Sequence, residues 1–257
     1  MTIMEERRKN ILEEVLKNGT VTVHDLSQKF NVSYETIRKD LNYLSEKEQL
    51  VKSHGGAIAN QNSIENPFTL KKEENIDRKQ SIAKKALNLI PNGASIILGT
   101  GSTVFELAKL LVLRSNLKII TDLIPAASYL QTSNNEVYFL GGKLRQKSSS
   151  VYGNWTEQAL DQINVDISFL GTDGFQGFRG PTTPSYSDSS IERKMIKHSN
   201  KSYILADTTK FERKSLYEIT SWENITGIIT NYDISKSLIQ SIGDSTQIIL
   251  DSFNSNN

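Results

Sequence analysis

Apolar residues in the first 58 positions recur at helical spacing in three short stretches. From Glu5 to Lys17, Ile11, Leu12, Val15 and Leu16 form a stripe, and Gly19 follows as a stop. Leu26 and Phe30 sit four apart in a second stretch; Ile37, Leu41 and Leu44 keep the period in a third. Asn31-Val32-Ser33 makes a tight turn between these two, with Ser33 at the N-cap position of the helix that follows. Turning Ile37 inward sends Glu35, Arg38, Lys39 and Asn42 outward together. After them, Leu50 to Ile58 (LVKSHGGAI) has the pattern of two short strands around a glycine turn, and Thr20-Val21-Thr22 is placed to pair with them. The pattern predicts a winged helix–turn–helix over residues 1–58.

The period then changes. Residues 59–69 begin with the polar, aperiodic run ANQNSIENP and are expected to be a linker. A helix is predicted over Glu74 to Ile90, closed by Pro91-Asn92-Gly93. Apolar, β-branched runs follow at Ser95–Leu98, Leu117–Thr121, Val137–Leu140, Ile167–Leu170, Ser202–Ala206, Ile225–Thr230 and Gln247–Leu250. Helical stretches lie between most of them, at Val104–Leu113, Pro125–Gln131, Thr156–Gln162, Ser189–His198 and Ile234–Ser241. Short apolar strands alternating with helices predict a doubly wound, mostly parallel sheet covered on both faces, over residues 70–257.

Composition narrows the class. The 257 residues are 37% hydrophobic and 23% charged, which suits a globular protein with a substantial core. No apolar run approaches a membrane span, and Met1–Arg7 lacks a secretory apolar region, so a cytoplasmic protein with no membrane partner is expected. The absence of cysteine excludes disulfides and thiolate metal sites. Net charge is +1, and residues 1–60 carry nine Lys and Arg against nine Asp and Glu. That balance argues against a non-specific basic binder. A specific DNA reader needs only local clusters such as Arg38-Lys39 and Lys52-His54.

Ser33, Tyr34, Glu35, Thr36, Arg38, Lys39, Asn42, Lys52 and His54 are therefore the expected DNA-binding residues, the helix reading base edges and the wing lying near phosphate. Arg7-Arg8-Lys9 either touches the DNA backbone or is a solvated face. In the second domain, candidate chemistry collects in loops after strands, where open α/β sheets bind ligands. Gly99-Thr100-Gly101-Ser102-Thr103 precedes a helix; glycines, hydroxyls and a helix N-terminus suit a phosphate, although an ordinary tight turn has the same ingredients. Thr121-Asp122, Gly141-Gly142-Lys143 and Asp173-Gly174 are expected at the same edge. There Asp122 and Asp173 would accept sugar hydroxyls and Lys143 would balance a phosphate. Lys210 either joins them or pairs with Asp207. His24, His54 and His198 lack metal-ligand spacing, so no metal and no cofactor is expected. Tyr152, Trp155 and Trp222 are expected in the core.

Val32 to Leu41 (VSYETIRKDL) followed by His54-Gly55-Gly56-Ala57 resembles the signature of the DeoR family of bacterial repressors, with Lys39 where that family usually has arginine. Gly141-Gly142, Thr172-Asp173-Gly174 and Ala206 to Phe211 (ADTTKF) resemble landmarks of the family's C-terminal domain, which is similar to phosphosugar isomerases. The resemblance covers nearly the whole chain. It departs at Gly99, where the family pattern has aspartate, and at Asp188-Ser189 and Glu192, where it has a Glu-Ala pair and a following lysine. The resemblance implies a repressor of carbohydrate-metabolism genes, not an enzyme. It would bind double-stranded operator DNA under control of a phosphorylated sugar or polyol, as a homo-oligomer, dimer or tetramer.

The alternative is an aldose–ketose phosphosugar isomerase, since Leu98 to Val104 (LGTGSTV) resembles the phosphate loop of ribose-5-phosphate isomerase. That enzyme's Gly-Ala-Asp-Glu and Lys-Gly-Gly-Gly sequences are not matched. After Asp173 comes GFQGFRG, leaving one carboxylate and no glycine-flanked lysine, so no catalytic residue is assigned.

Overall fold

A computed structural model describes residues 3–46, 50–58, 65–175, 177, 179–242 and 245–251. It separates into two compact units, residues 1–66 and 67–257. Of the expected linker, 59–64 lie outside the described residues, and its last two positions already belong to a short helix.

The first unit runs α1 (Ile3–Asn18), β1 (Thr20–Thr22), α2 (Val23–Phe30), α3 (Tyr34–Glu46), β2 (Val51–Ser53) and β3 (Gly56–Ile58). Thr22 caps α2 through Asp25 N–H, and Asn31 closes that helix in the left-handed region at φ 50°. β3 lies between β1 and β2, antiparallel to both, so the wing is pinned by a third strand as expected. Ile11, Val15, Val21, Leu26, Ile37, Leu41, Leu44, Leu50 and Ala57 share one core. Each large aliphatic side chain buried there contributes about 1.5–3 kcal/mol, enough for so small a unit to hold its helix pair.

The second unit continues with α4 (Phe68–Lys71), α5 (Ile76–Leu87), β4 (Ser95–Leu98), α6 (Ser102–Leu111), β5 (Ser115–Thr121), α7 (Ile124–Leu130) and β6 (Asn134–Phe139). Next come β7 (Lys143–Arg145), β8 (Ser150–Tyr152), α8 (Asn154–Leu160), β9 (Val165–Leu170), β10 (Gly174–Phe175), β11 (Pro181–Thr183) and α9 (Tyr186–Lys197). The chain finishes with β12 (Ser199–Leu205), β13 (Tyr217–Glu218), β14 (Gly227–Thr230), α10 (Lys236–Ile242) and β15 (Gln247–Leu250). All seven anticipated runs become strands of one sheet, ordered β15-β14-β12-β9-β4-β5-β6. Every pairing in it is parallel.

Strand alternation divides the core. Ile96, Leu98, Phe169 and Leu205 pack on one face with Ile82, Leu107, Leu111 and Leu130 of α5, α6 and α7. Ile97, Leu170 and Ile204 pack on the other with Leu160, Ile191, Met195 and Ile242 of α8, α9 and α10. Sequence periodicity did not anticipate the β7–β8 hairpin or the small β10-β11-β13 sheet; strands of two or three residues are too short to show a period. One aromatic expectation is corrected. Trp222 is buried, but Trp155, second residue of α8, is 75% exposed, because Thr156 and Leu160 supply that helix's inward face.

The chain moves outward from β4 through β5 to β6, then returns to the other side of β4 as β9. The crevice beyond the carboxyl ends of β4 and β9 is therefore the topological switch point, where sheets of this kind bind ligands. Among the described residues, no helix is long and apolar enough to cross a membrane.

Candidate functional site

Helix α3 buries Ile37, Asp40, Leu41 and Leu44 and leaves Glu35, Arg38, Lys39 and Asn42 exposed as one stripe. Ser33 performs the capping expected of it, accepting from Thr36 N–H at 3.2 Å and sharing a 2.9 Å hydrogen bond with the Thr36 hydroxyl. Tyr34 joins α3 to α2 through its hydroxyl, 2.7 Å from His24 Nδ1. Lys39 pairs with Glu35 at 2.9 Å, both largely exposed, and that pair holds the Glu35 carboxyl below its usual range. Such a surface pair is worth little and is readily exchanged for a phosphate. Arg38 is exposed, as are Lys52 and His54 on the wing.

Arg7 and Arg8 lie in neither expected place. Their Nε atoms each donate to Asp40 at 2.7 Å, one to each carboxylate oxygen, and Asp40 is 1% exposed. Arg8 also lies 3.9 Å over the Tyr43 ring. These two arginines brace α3 from behind. Of that cluster, only Lys9 stays on a solvated face, with Glu13 3.9 Å away.

In the second unit the loop between β4 and α6 is tightly built. Gly99 N–H donates to Phe169 O, and Gly171 N–H donates to Thr100 O, both at 3.0 Å. Gly101 has φ 133°, and a Cβ on it would lie 3.1 Å from Gly171 Cα, so only glycine lets these two loops touch. No side chain caps α6 at Gly101. The first amides of this ten-residue helix therefore lie at the positive end of its dipole without a side-chain cap from Gly101. Ser102 and Thr103, both nearly buried, begin the helix.

Thr100 turns elsewhere: its hydroxyl donates to Glu192 Oε1 at 2.8 Å. Around that contact lie Asp122 and Asp188, each acting on Glu192 through its charge. Asp122, Asp188 and Glu192 are respectively 1%, 5% and 3% exposed. Burial first, and the Asp188 charge second, push the Asp122 and Glu192 carboxyls well above the usual carboxylate range. Asp122 Oδ1 and Glu192 Oε2 are buried with no hydrogen-bond partner among the described residues. Arg145, on β7, reaches Asp188 at 3.4 Å.

Asp173 has the opposite surroundings. Burial raises its carboxyl, but Lys71, Lys210 and Arg213 outweigh burial and hold it below its usual range. Lys71 pairs with it directly. The buried Lys79 helps fix Lys71 by donating to the carbonyls of Lys71 and Glu74. Burial lowers Lys210 to about 8, opposed first by the Asp173 charge and more weakly by Asp207. Asp207 itself caps the turn that follows it, accepting from Thr209 N–H at 3.0 Å. Lys210 thus lies within reach of the charges of both Asp173 and Asp207.

The structure thus gathers Gly99–Thr103, Asp122, Asp173, Gly174 and Lys210 at the strand ends. Thr121 is at the same edge, but its hydroxyl donates to Leu98 O and accepts from Leu123 N–H, holding strand β5 to its loop. Gly141 accepts from the Thr156 hydroxyl, and Gly142 leads into β7. Lys143 is exposed and lies over the Tyr152 ring at 5.8 Å, while Arg145, two residues on, reaches the acids. Sequence reasoning missed Lys71, Arg145 and Arg213 as participants; nothing in their local pattern marks them. Asp188 and Glu192 did carry a signal, as departures from the resembled family. Gly99, the third departure, has its reason in packing. A Cβ there would lie 2.6 Å from Leu170 Cδ2 and 3.1 Å from Met195 Sδ, so aspartate does not fit without displacing both.

The model of the DeoR-like helix-turn-helix domain matches residues 7–63, and that of the DeoR C-terminal sensor domain matches residues 74–232. An HTH-type transcriptional regulator, GolR, of Listeria innocua is 34% identical over 93% of this chain and 95% of its own length. The lactose phosphotransferase system repressor of Staphylococcus epidermidis is 32% identical over 90% of this chain and 94% of its own. The glycerol-3-phosphate regulon repressor of Escherichia coli K12 is 28% identical over 93% and 95%. Among solved structures, ribose 5-phosphate isomerase A of Methanocaldococcus jannaschii aligns over 54% of this chain and 55% of its own, with 22% identity and a TM-score of 0.40.

Proposed function

The chain belongs to the DeoR family of DNA-binding transcriptional regulators, and from that premise we propose that it represses carbohydrate-metabolism genes under control of a phosphorylated sugar or polyol. The family and these relatives are regulators rather than enzymes, so the isomerase alternative is not retained. The carrying observation is the exposed α3 stripe, set on a helix whose other face is fully committed to the core and to the Asp40 brace. Arg38 and Asn42 read base edges; Lys39, released from Glu35, and the wing residues Lys52 and His54 take phosphates. Ser33, Tyr34 and Thr36 set the start of that helix at the groove.

The effector's phosphate takes the Gly101–Thr103 amides, with Lys210 supplying charge, and its hydroxylated part meets Asp122 and the acids beside it. An effector changes DNA affinity only by binding two conformations unequally, typically by about 1–3 kcal/mol. A two-fold dimer or tetramer presents two recognition helices to half-sites about 34 Å apart. Selection of binding sequences from random DNA by the full-length protein tests this. The expected product is a two-fold repeat of one half-site, with release by at least one sugar phosphate. Recovery of no preferred sequence, from protein whose spectrum shows it folded, counts against the reading.

A further inference from the structure

The switch-point cluster is electrically two-sided. Lys71, Lys210 and Arg213 surround Asp173 on one side. On the other, Asp122, Asp188 and Glu192 press on one another, and Arg145 reaches Asp188. Two oxygens of this acidic wall, Asp122 Oδ1 and Glu192 Oε2, are buried and unpartnered among the described residues, which a folded chain tolerates where a ligand supplies the missing donors. Glu192 stands where the resembled family has lysine, so the wall is a property of this chain's own side chains. Among the described residues, no group of three or more acids or histidines is arranged to hold a metal ion. The missing counter-charge is better met by an organic cation.

We propose that the effector of this chain is a phosphorylated sugar or polyol bearing a protonated amine, its ammonium seated between Asp122 and Glu192 and its phosphate on the Gly101–Thr103 amides. The inference rests on the reading of this site as a phosphosugar sensor and adds the class of sugar. An ammonium brings three donors and a positive charge, and its bonds to carboxylate are roughly twice as strong as those of a neutral hydroxyl. It satisfies both orphan oxygens and lets both acids ionise. A hydroxyl supplies one donor and leaves the mutual repulsion of the acids in place. Thr100 ties the two ends together: its hydroxyl fixes Glu192, and its backbone belongs to the loop that receives the phosphate.

Calorimetric titration of the full-length protein with matched pairs decides the matter: glucosamine 6-phosphate against glucose 6-phosphate, and galactosamine 6-phosphate against galactose 6-phosphate. Fructose 1-phosphate and glycerol 3-phosphate complete the panel. The expected result is that the amine member of at least one pair binds about tenfold or more tightly than its hydroxyl partner. Glu192→Gln, and independently Asp122→Asn, then narrow that ratio to about threefold or less, in variants whose far-UV spectra match the parent. Equal or weaker binding of the amines, with any neutral phosphate bound, overturns the amine assignment and leaves the phosphosugar reading standing. Failure of every compound to bind overturns both. A preference for amine that survives both substitutions overturns the assignment to this wall.

Discussion

The outward stripe of α3 and the cluster at the β4–β9 switch point are both built from charged side chains, and they hold those charges in opposite ways. On α3 the charges come from one helix and stand in solvent, where Lys39 pairs with Glu35 one turn away. At the switch point they come from segments more than a hundred residues apart, from Lys71 to Glu192, and three of them, Asp122, Asp188 and Glu192, are buried beside like charges. An exposed charge is free to exchange water for phosphate. A buried one has its protonation set by neighbours and waits for a ligand to complete it. The first arrangement suits a polyanion met from outside; the second suits a small molecule taken in. The comparison also teaches where stability resides: the reading face can be altered cheaply, whereas its support cannot.

The largest expected effect therefore lies behind the stripe rather than on it. Asp40→Ala removes the common partner of Arg7 and Arg8 from a buried position. It should destabilise the DNA-binding unit by about 3–5 kcal/mol, because two partly buried guanidiniums lose the carboxylate they share. Chemical denaturation of the full chain should show the first unit melting early and operator binding lost, while ligand titrations of the second unit are unchanged. A variant that melts and binds like the parent would show the brace to be dispensable. On the stripe itself, Arg38→Ala should leave melting untouched and cost roughly 1–3 kcal/mol of operator discrimination. Gel-shift titrations against matched and scrambled sites measure it, and unchanged discrimination removes Arg38 from base reading.

The same contrast governs what could be read before any coordinates. The stripe was legible because Ile37, Leu41 and Leu44 fix the helix's phase locally, and phase alone decides that residues 35, 38, 39 and 42 face out. The seven sheet strands were legible for a similar reason, and with them the loops that end at the switch point. Legibility stopped at tertiary encounters. Nothing near Arg7 or Arg8 announces Asp40 more than thirty positions away, and nothing near Lys71 announces Asp173. Asp122 and Asp173 look alike in sequence, each an aspartate after a strand. One is raised by burial and Asp188, the other lowered by three cations. Only the fold tells them apart.

Asp122 also offers a test on the buried side. Its folded carboxyl titrates above its unfolded value, so the folded state keeps a proton that the unfolded chain releases. Stability is therefore lost as pH rises from the unfolded value, near 4, toward the folded one. Asp122→Asn removes that slope and should raise the ligand-free protein's stability by about 1–2 kcal/mol near neutral pH, with no gain at about pH 4. Thermal melts at the two pH values check it. A gain of equal size at both would trace to packing rather than charge.

The smallest expected effect concerns Lys210, held at about 8 by burial. Below that value it is charged and can balance a phosphate; above it the ligand must bring a proton back to make the same contact. Effector affinity should accordingly be flat from about pH 7 to 8 and then fall, by at most about tenfold per pH unit. Unfolding does not account for such a fall. A lysine whose folded value is depressed costs stability while charged, and that cost is relieved as pH rises from about 8 toward 10.5, so this group works to steady the fold over the same interval. Lys210→Gln should bind the effector more weakly and with no such slope. If parent and variant fall together above pH 8, the proton belongs to another group, and the phosphate must be balanced by Lys71, Arg213 or the helix amides alone.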